Sequence, residues 1–246
     1  MKRVAIFGAT SAIAEATARL LAAEGARFFL VGRTPAKLEA VARDLAARGA
    51  EGVATERADL ADTAAHRELV DRAWAALDGI DVALVAHGTM ADQKACEADA
   101  ARALAEISGN FLGHASLLTH LANRMETQGR GIIAVIGSPA GDRGRQSNYV
   151  YGSAKGGLGV FVEGLRHRLG RRGVAVTLIQ PGFVDTPMTA ALPKGGPLWA
   201  TPERVARDIR KALERGPARL YTPWFWRWIM LIVRHLPDSV FQRTRL

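Results

Sequence analysis

Three residues in one stretch of the chain carry groups able to exchange a proton with a carbonyl: Ser138, Tyr151 and Lys155. A free phenol has a pKa near 10 and exchanges protons poorly at neutral pH. A lysine ammonium about 5 Å away would favour the phenolate by roughly 3 kcal/mol at an effective dielectric of about 20, or about two pKa units. Such a tyrosine gives a proton to a carbonyl oxygen or takes one from an alcohol, and a serine hydroxyl can hold that same oxygen. A tyrosine four residues before a lysine also arises by chance, as a surface phenol and a solvated cation. The pair needs a scaffold before it means anything.

The flanking sequence supplies one. An apolar run from Ile132 to Ile136 predicts a buried strand, and Gly137 to Asn148 is rich in turn residues. Apolar residues then recur at Val150, Ala154, Leu158, Phe161, Leu165 and Leu169, which predicts a helix. Tyr151 and Lys155 share one face of it, and Ser138 sits at the strand end beside the helix start. Near the N-terminus, a strand from Arg3 to Phe7 runs into Gly8-Ala-Thr-Ser-Ala-Ile-Ala14 and a helical pattern. That places backbone N–H groups at a positive helix end, suited to a pyrophosphate. Ala12 and Ala14 stand where a Gly-x-Gly-x-x-Gly fingerprint would have glycines, so the turn also reads as an ordinary strand–helix connection. A second strand, Arg27 to Val31, ends in Gly32-Arg33 with no carboxylate before Leu38. An arginine there accommodates a 2′-phosphate, which favours NADP(H) over NAD(H). The alternative is a solvated arginine before a helix over Pro35 to Arg48.

The strand–helix alternation repeats, with strands expected at 52–56, 80–86, 174–179 and 218–221 and helices at 63–77, 99–125 and 201–213. The fold class is therefore α/β: a doubly wound, parallel, seven-stranded sheet of Rossmann type with helices on both faces. Residues 1–222 are expected to form one dinucleotide-binding catalytic domain, and 223–246 an aromatic, basic extension. The 246 residues suffice for one substantial core. Cys96 is the single cysteine, which excludes an intrachain disulfide and fits a reducing, cytoplasmic setting. No signal peptide is evident, and no His or Cys spacing suggests a metal. The net charge of +9 points to an anionic partner.

In the order and spacing of these motifs the chain resembles the short-chain dehydrogenase/reductase family, in its single-domain branch, over about residues 3 to 222. The resemblance implies that Tyr151 is the acid–base residue, that Ser138 polarises the carbonyl, and that Lys155 holds the nicotinamide ribose and lowers the Tyr151 pKa. It gives Asn110 a water-linked proton relay. Gly8, Thr10, Ser11, Ala12 and Ile13 would line the pyrophosphate and adenosine side, with Asp59 and Leu60 flanking adenine. Ala86 and Gly88 would pass under the ribose, and Pro181, Gly182, Val184 and Thr186 would meet the nicotinamide end. It also implies a homodimer or homotetramer built on the Tyr151 helix. There are departures. Ala12 and Ala14 add methyls that would press on the cofactor turn. Val85-Ala86-His87-Gly88 replaces Asn-Asn-Ala-Gly, so the lost amide hydrogen bonds must be met otherwise, with His87 one candidate and a structural histidine the plainer reading. The Ala86-to-Thr89 and Gly141-to-Arg145 runs look closest to a subgroup containing the decaprenylphosphoryl-keto-pentose reductases.

The glycines at 152, 156, 157, 159 and 164 suggest close approach of another backbone, from the sheet or a partner. Arg143 and Arg145 would either read an anionic group on the substrate or make an ion pair or subunit contact. Residues 221–236 mix three tryptophans, aliphatics and arginines, and the uncharged run from Trp228 to Val233 is too short to span a bilayer. An in-plane interfacial helix at 223–236 and a packed helix over the pocket are both open. Either makes the mouth of the site greasy. The sequence thus points to an NADP(H)-dependent reductase of a lipophilic or lipid-linked ketone at the cytoplasmic membrane face. The rivals are a soluble 3-ketoacyl or general alcohol dehydrogenase, and a non-catalytic NADP(H) sensor or scaffold. Nucleic-acid binding is not expected.

Overall fold

The computed structural model describes residues 2–244, so Met1 of the 1–222 span and Arg245 and Leu246 of the extension lie outside the described residues. Seven strands form one all-parallel sheet: β1 (Arg3–Phe7), β2 (Arg27–Gly32), β3 (Gly52–Arg57), β4 (Val82–Val85), β5 (Gly131–Ile136), β6 (Val174–Pro181) and β9 (Arg219–Thr222). Their spatial order is β3-β2-β1-β4-β5-β6-β9, so the winding reverses between β1 and β4. A crevice at the carboxyl ends of the strands follows from that reversal. Two further short strands, β7 (Phe183–Val184) and β8 (Trp199–Ala200), pair apart from the main sheet.

Strand alternation divides the core in two. Ala5, Phe7 and Val85 face the side covered by α3 (His66–Leu77), α6 (Gly113–Gln128) and α7 (Tyr149–Leu169). Val4, Ile6 and Leu30 face the side covered by α1 (Ala12–Ala22), α2 (Pro35–Ala47) and α8 (Pro202–Arg215). Local chemistry sets the helix limits. Thr201 Oγ accepts from Arg204 N with Pro202 at the first position of α8, and Gly216 closes that helix in the left-handed region.

The helix expected over 99–125 is more broken than its pattern suggests. A separate α4 (Gln93–Ala98) precedes α5 (Ala100–Ile107), and a π turn over Ser108–Leu112 joins α5 to α6. Two of the five glycines of α7, Gly152 and Gly156, meet a foreign backbone, that of the loop after β5. A Cβ at Gly152 would lie 2.9 Å from Ala140 O, and one at Gly156 3.0 Å from Gly141 O. Only this closeness brings the Ser138 loop down onto the helix that carries Tyr151. Gly164 has open space around it.

The two kinds of glycine should respond oppositely in urea unfolding. Gly164→Ala should stabilise by about 0.5–1 kcal/mol through helix propensity. Gly152→Ala should destabilise by about 1–3 kcal/mol through overpacking against a carbonyl.

Candidate active site

The carboxyl ends of β4 and β5 and the first turns of α7 bring Ser138, Tyr151 and Lys155 together. Lys155 is buried, donates to Ile136 O at 3.1 Å, and places Nζ 5.8 Å from the centre of the Tyr151 ring. Gly88 lies beside it and makes room for Asn110: a Cβ there would stand 2.8 Å from Asn110 Oδ1 and, at ordinary contact distance, 3.6 Å from Lys155 Nζ. The Ser138 hydroxyl accepts from Ala140 N at 3.1 Å and also draws the Tyr151 pKa down. Burial outweighs it, pushing Tyr151 up to about 12. The net shift is therefore upward, set by burial, whereas the expectation concerned the effect of Lys155 alone. The ammonium stands off the ring instead of meeting the phenol oxygen, and its own burial brings Lys155 down to about 8. Burial thus favours the neutral phenol and the neutral amine.

Asn110 is fully buried in the π turn, and its side chain is committed within the protein. Nδ2 donates to Thr89 Oγ1 at 3.2 Å and Glu106 O at 3.1 Å, while Oδ1 accepts from Thr89 N at 3.2 Å. The carboxamide therefore fastens the loop after β4. Glu106, which sequence reasoning missed, is a buried carboxylate accepting from Thr89 Oγ1 at 2.7 Å and Ala91 N at 3.1 Å. Its charge favours the protonated forms of both Tyr151 and Lys155. Its only sequence signal is an acidic residue one helical turn before Asn110, which looks like any exposed helix position.

The cofactor positions fall along the same crevice. Gly8 has φ +92°, and a Cβ there would lie 2.5 Å from His87 N, so the first turn rests directly on the end of β4. Ser11 precedes α1 without a side-chain cap, which leaves the first amides of that helix without a capping partner. A glycine-made cradle beneath an uncapped helix start fits a pyrophosphate, with Thr10, Ser11, Ala12 and Ile13 around it. Ala14 does not press on this turn. It is fully buried in the core beside Ala18, which leaves Ala12 as the one added methyl at the turn. Asp59 is exposed just past β3, and Leu60 and Ala86 are buried beneath the crevice. Arg33 is exposed after β2, and Arg57, also exposed, ends β3 in register with Gly32. Glu56, the acid beside Arg57, is taken by Arg72 at 3.1 Å. Arg57 escaped the sequence reading because only the strand register brings it next to Gly32.

At the far end, Pro181 closes β6 and the Val184 side chain is buried, so Val184 offers only its backbone. Thr186 shares its hydrogen bonds with Thr189 in a short turn. The tail forms α9 (Trp226–His235) and α10 (Asp238–Phe241), and Trp226 occupies the space over Gly182, where a Cβ would fall 1.8 Å from Trp226 Nε1. Phe183 stacks on Trp199 and meets Trp226 edge-on, both at 5.3 Å between centroids. Arg143 is spent on this tail: it donates to Val233 O at 2.7 Å and Leu236 O at 2.6 Å, pairs with Asp238 at 2.7 Å and lies over the Phe241 ring. Arg145 reaches Met230 Sδ at 3.2 Å. Arg143 thus makes an intramolecular clamp, not a site for a substrate anion. The tail is packed on one face only. Trp226, Met230 and Val233 are buried, while Trp224, Trp228, Leu231 and Ile232 are exposed.

Comparison with known proteins places the chain. A family model described as short chain dehydrogenase matches residues 2–196. An uncharacterized oxidoreductase of Mycobacterium tuberculosis is 42% identical over 240 residues, covering 98% of this chain and 96% of the relative. An uncharacterized oxidoreductase of Streptomyces coelicolor is 36% identical over 239 residues, covering 97% and 94%. A cis-4-hydroxycyclohexanecarboxylate dehydrogenase of Sinomonas cyclohexanicum is 34% identical over 195 residues, covering 78% and 77%.

Burial of Lys155 has a measurable sign. The unfolded chain keeps this proton to about pH 10.4, whereas the folded protein releases it near 8. Unfolding therefore takes up a proton between these values, and the contribution to stability rises with pH there by about 1.4 kcal/mol per unit. Below pH 8 the cost of the buried charge is complete. Lys155→Met should be more stable than wild type at pH 7, and the difference should shrink between pH 8 and 10 in urea unfolding.

Proposed function

This chain belongs to the short-chain dehydrogenase family of oxidoreductases, and we propose that it is an NADP(H)-dependent carbonyl reductase acting on a lipophilic or lipid-linked ketone. Family membership brings a nicotinamide dinucleotide, which when bound supplies or accepts hydride. Gly8, Ser11, Ala12 and Ile13 would hold its pyrophosphate, Lys155 its nicotinamide ribose, and the backbone around Val184 its carboxamide. Ser138 hydrogen-bonds the substrate oxygen. Tyr151, protonated across the physiological range, delivers its proton to that oxygen as the neighbouring carbon is reduced, and Lys155 restores the proton. Arg33 and Arg57, on adjacent strand ends, support the choice of NADP(H) by offering two cations to a 2′-phosphate.

The observation that carries the substrate class is the aromatic wall of Phe183, Trp199 and Trp226 over Gly182. Beside it, Trp199, Trp224 and Phe225 line a cavity of about 420 Å³ with Arg204 and Arg207 at its edge. The exposed Trp224, Trp228, Leu231 and Ile232, with Arg227 and Arg234 alongside, would lay the 223–236 segment in the surface of an anionic membrane. No helix among the described residues is long and apolar enough to cross a membrane. The likeness to the decaprenylphosphoryl-keto-pentose reductases supports a lipid-linked substrate through the Ala86-to-Thr89 run, since the Gly141-to-Arg145 run serves the tail. A second reading, a small alicyclic keto acid, is favoured by the cis-4-hydroxycyclohexanecarboxylate dehydrogenase relative. Leu104, Tyr149 and Val160, exposed on α5 and α7, would give a second copy its contact.

Nicotinamide fluorescence titration should show NADPH binding more tightly than NADH, and Arg33→Glu should weaken NADPH alone by about tenfold or more. NADPH oxidation should follow with 2-decalone rather than 4-oxocyclohexanecarboxylate, and Tyr151→Phe should lower it at least about a hundredfold. In vesicle flotation the protein should rise with phosphatidylglycerol-containing but not pure phosphatidylcholine vesicles, and Trp228→Ala with Ile232→Ala should abolish this. Binding lost to neither change would leave the exposed face to a second copy of the chain.

A further inference from the structure

Beneath the crevice floor lie three histidines that the chemistry above does not use. His87, just past β4, and His114, in the first turn of α6, stack face to face with ring centroids 3.8 Å apart and planes 20° from parallel. Part of the His87 residue is exposed, but both of its ring nitrogens are sealed, as are both of His114. None of the four has a hydrogen-bond partner among the described residues. His66, at the start of α3, is fully buried; its Nδ1 lies 3.0 Å from Ser116 Oγ and its Nε2 is also without a partner.

Five unpartnered imidazole nitrogens on three neighbouring side chains are too many to leave dry. A buried polar atom without a partner loses its hydration for nothing, and folded proteins leave few of them. Polar, enclosed sites of this kind hold ordered water. The cluster also has two distinct ends. Gly88, adjoining His87, lies at contact distance from Lys155: a Cβ there would stand 3.6 Å from Nζ. At the other end Ser116 is partly exposed, with its hydroxyl 3.5 Å from Thr63 O at the seam of α3 and α6.

We propose that His87, His114 and His66 form a water-bridged file that carries protons between Lys155 and the protein surface at Ser116. The proposal rests on the reading of Tyr151 and Lys155 as the acid–base pair. In each reduction Tyr151 gives its O–H proton to the substrate oxygen, the phenolate takes a proton from the Lys155 ammonium, and Lys155 recovers one from the file. A neutral imidazole accepts a proton at one nitrogen and releases the one at the other. One proton enters from solvent at Ser116 for each proton delivered, and no charge is left behind. Oxidation runs the same steps in reverse.

The surroundings keep the rings neutral, as a relay requires. Burial brings His87 to about 3 and His114 well below its ordinary value. The charged or titratable groups facing the file are Lys155 on α7, Arg33 after β2, His120 on α6 and Asp62 before α3. Of these groups only Asp62 favours a cationic ring, acting on His66, where the nearby Leu60 carbonyl acts the same way and more strongly. The carbonyls of Gly109 and His87 lie near the His114 ring and oppose its shift, without meeting bonding geometry.

Ring N–H exchange in ¹⁵N-histidine-labelled wild-type protein tests the file without substrate or turnover. Water-bridged rings should exchange their N–H protons with solvent while the protein stays folded. Protection of the His87 and His114 rings until global unfolding would mean a dry stack and overturn the proposal. Kinetics with NADPH and 2-decalone give the second test. His114→Phe keeps an aromatic stack but removes both nitrogens, and should lower kcat about tenfold, leave KM unchanged and enlarge the solvent deuterium isotope effect, with partial recovery on adding imidazole buffer. His66→Gln, milder to the fold, should act the same way by about twofold. Unchanged kcat and isotope effect in both folded variants would also overturn it. Retained turnover in Tyr151→Phe would instead remove the acid–base reading, whatever the rings do.

Discussion

The structure turns on one buried cation. Lys155 is withdrawn from water at the carboxyl edge of a parallel sheet, with a single carbonyl, Ile136 O, as its fixed partner. That is costly, and the surrounding features bear on it. Gly88 beside the ammonium lacks a side chain that would strike Asn110 Oδ1, Glu106 supplies the nearby negative charge, and Asn110 and Glu106 together fix the loop that carries Gly88. The close backbone contact of Gly156 with Gly141 and of Gly152 with Ala140 seals the other side and sets Ser138 beside Tyr151. Burial lowers the Lys155 pKa to about 8, toward neutrality.

Burial also explains why Tyr151 runs opposite to the simple pair argument. A lysine and a tyrosine one helical turn apart suggest mutual stabilisation of charge. That arithmetic assumes an effective dielectric, and the sequence does not say how deeply either group lies. Once both are enclosed, the desolvation of each outweighs their attraction, and both move toward their neutral forms.

Much of the fold was legible because its signals are periodic. Seven apolar strands, their order of appearance and the helices between them follow from alternation, and Ser138, Tyr151 and Lys155 could be aligned on element ends. What stayed hidden depended on contacts between distant segments. The π turn at Ser108–Leu112 leaves the apolar pattern nearly unchanged. Arg57 gains meaning only from its register with Gly32. Arg143 stayed open between reading a substrate anion and making an ion pair or subunit contact, because its partners, Val233 O and Leu236 O, are some ninety residues away and are backbone atoms that no side-chain pattern announces. Ala14 looked like an obstruction because the direction of a methyl group cannot be read from its position in a motif.

The meeting of Gly182 and Trp226 divides the molecule by role. Ser138, Tyr151 and Lys155 are set by the end of β5 and by α7, while the aromatic wall proposed to face the substrate comes from β7, β8 and α9, the last clamped from outside by Arg143. Such a division makes the reacting layer and the selecting layer separately heritable. Descendants of this scaffold could change what they accept by rewriting the residues around α9 and leave the sheet ends untouched. The limit on that freedom is local: position 182 and position 226 must change together, because the space one gives up is the space the other fills.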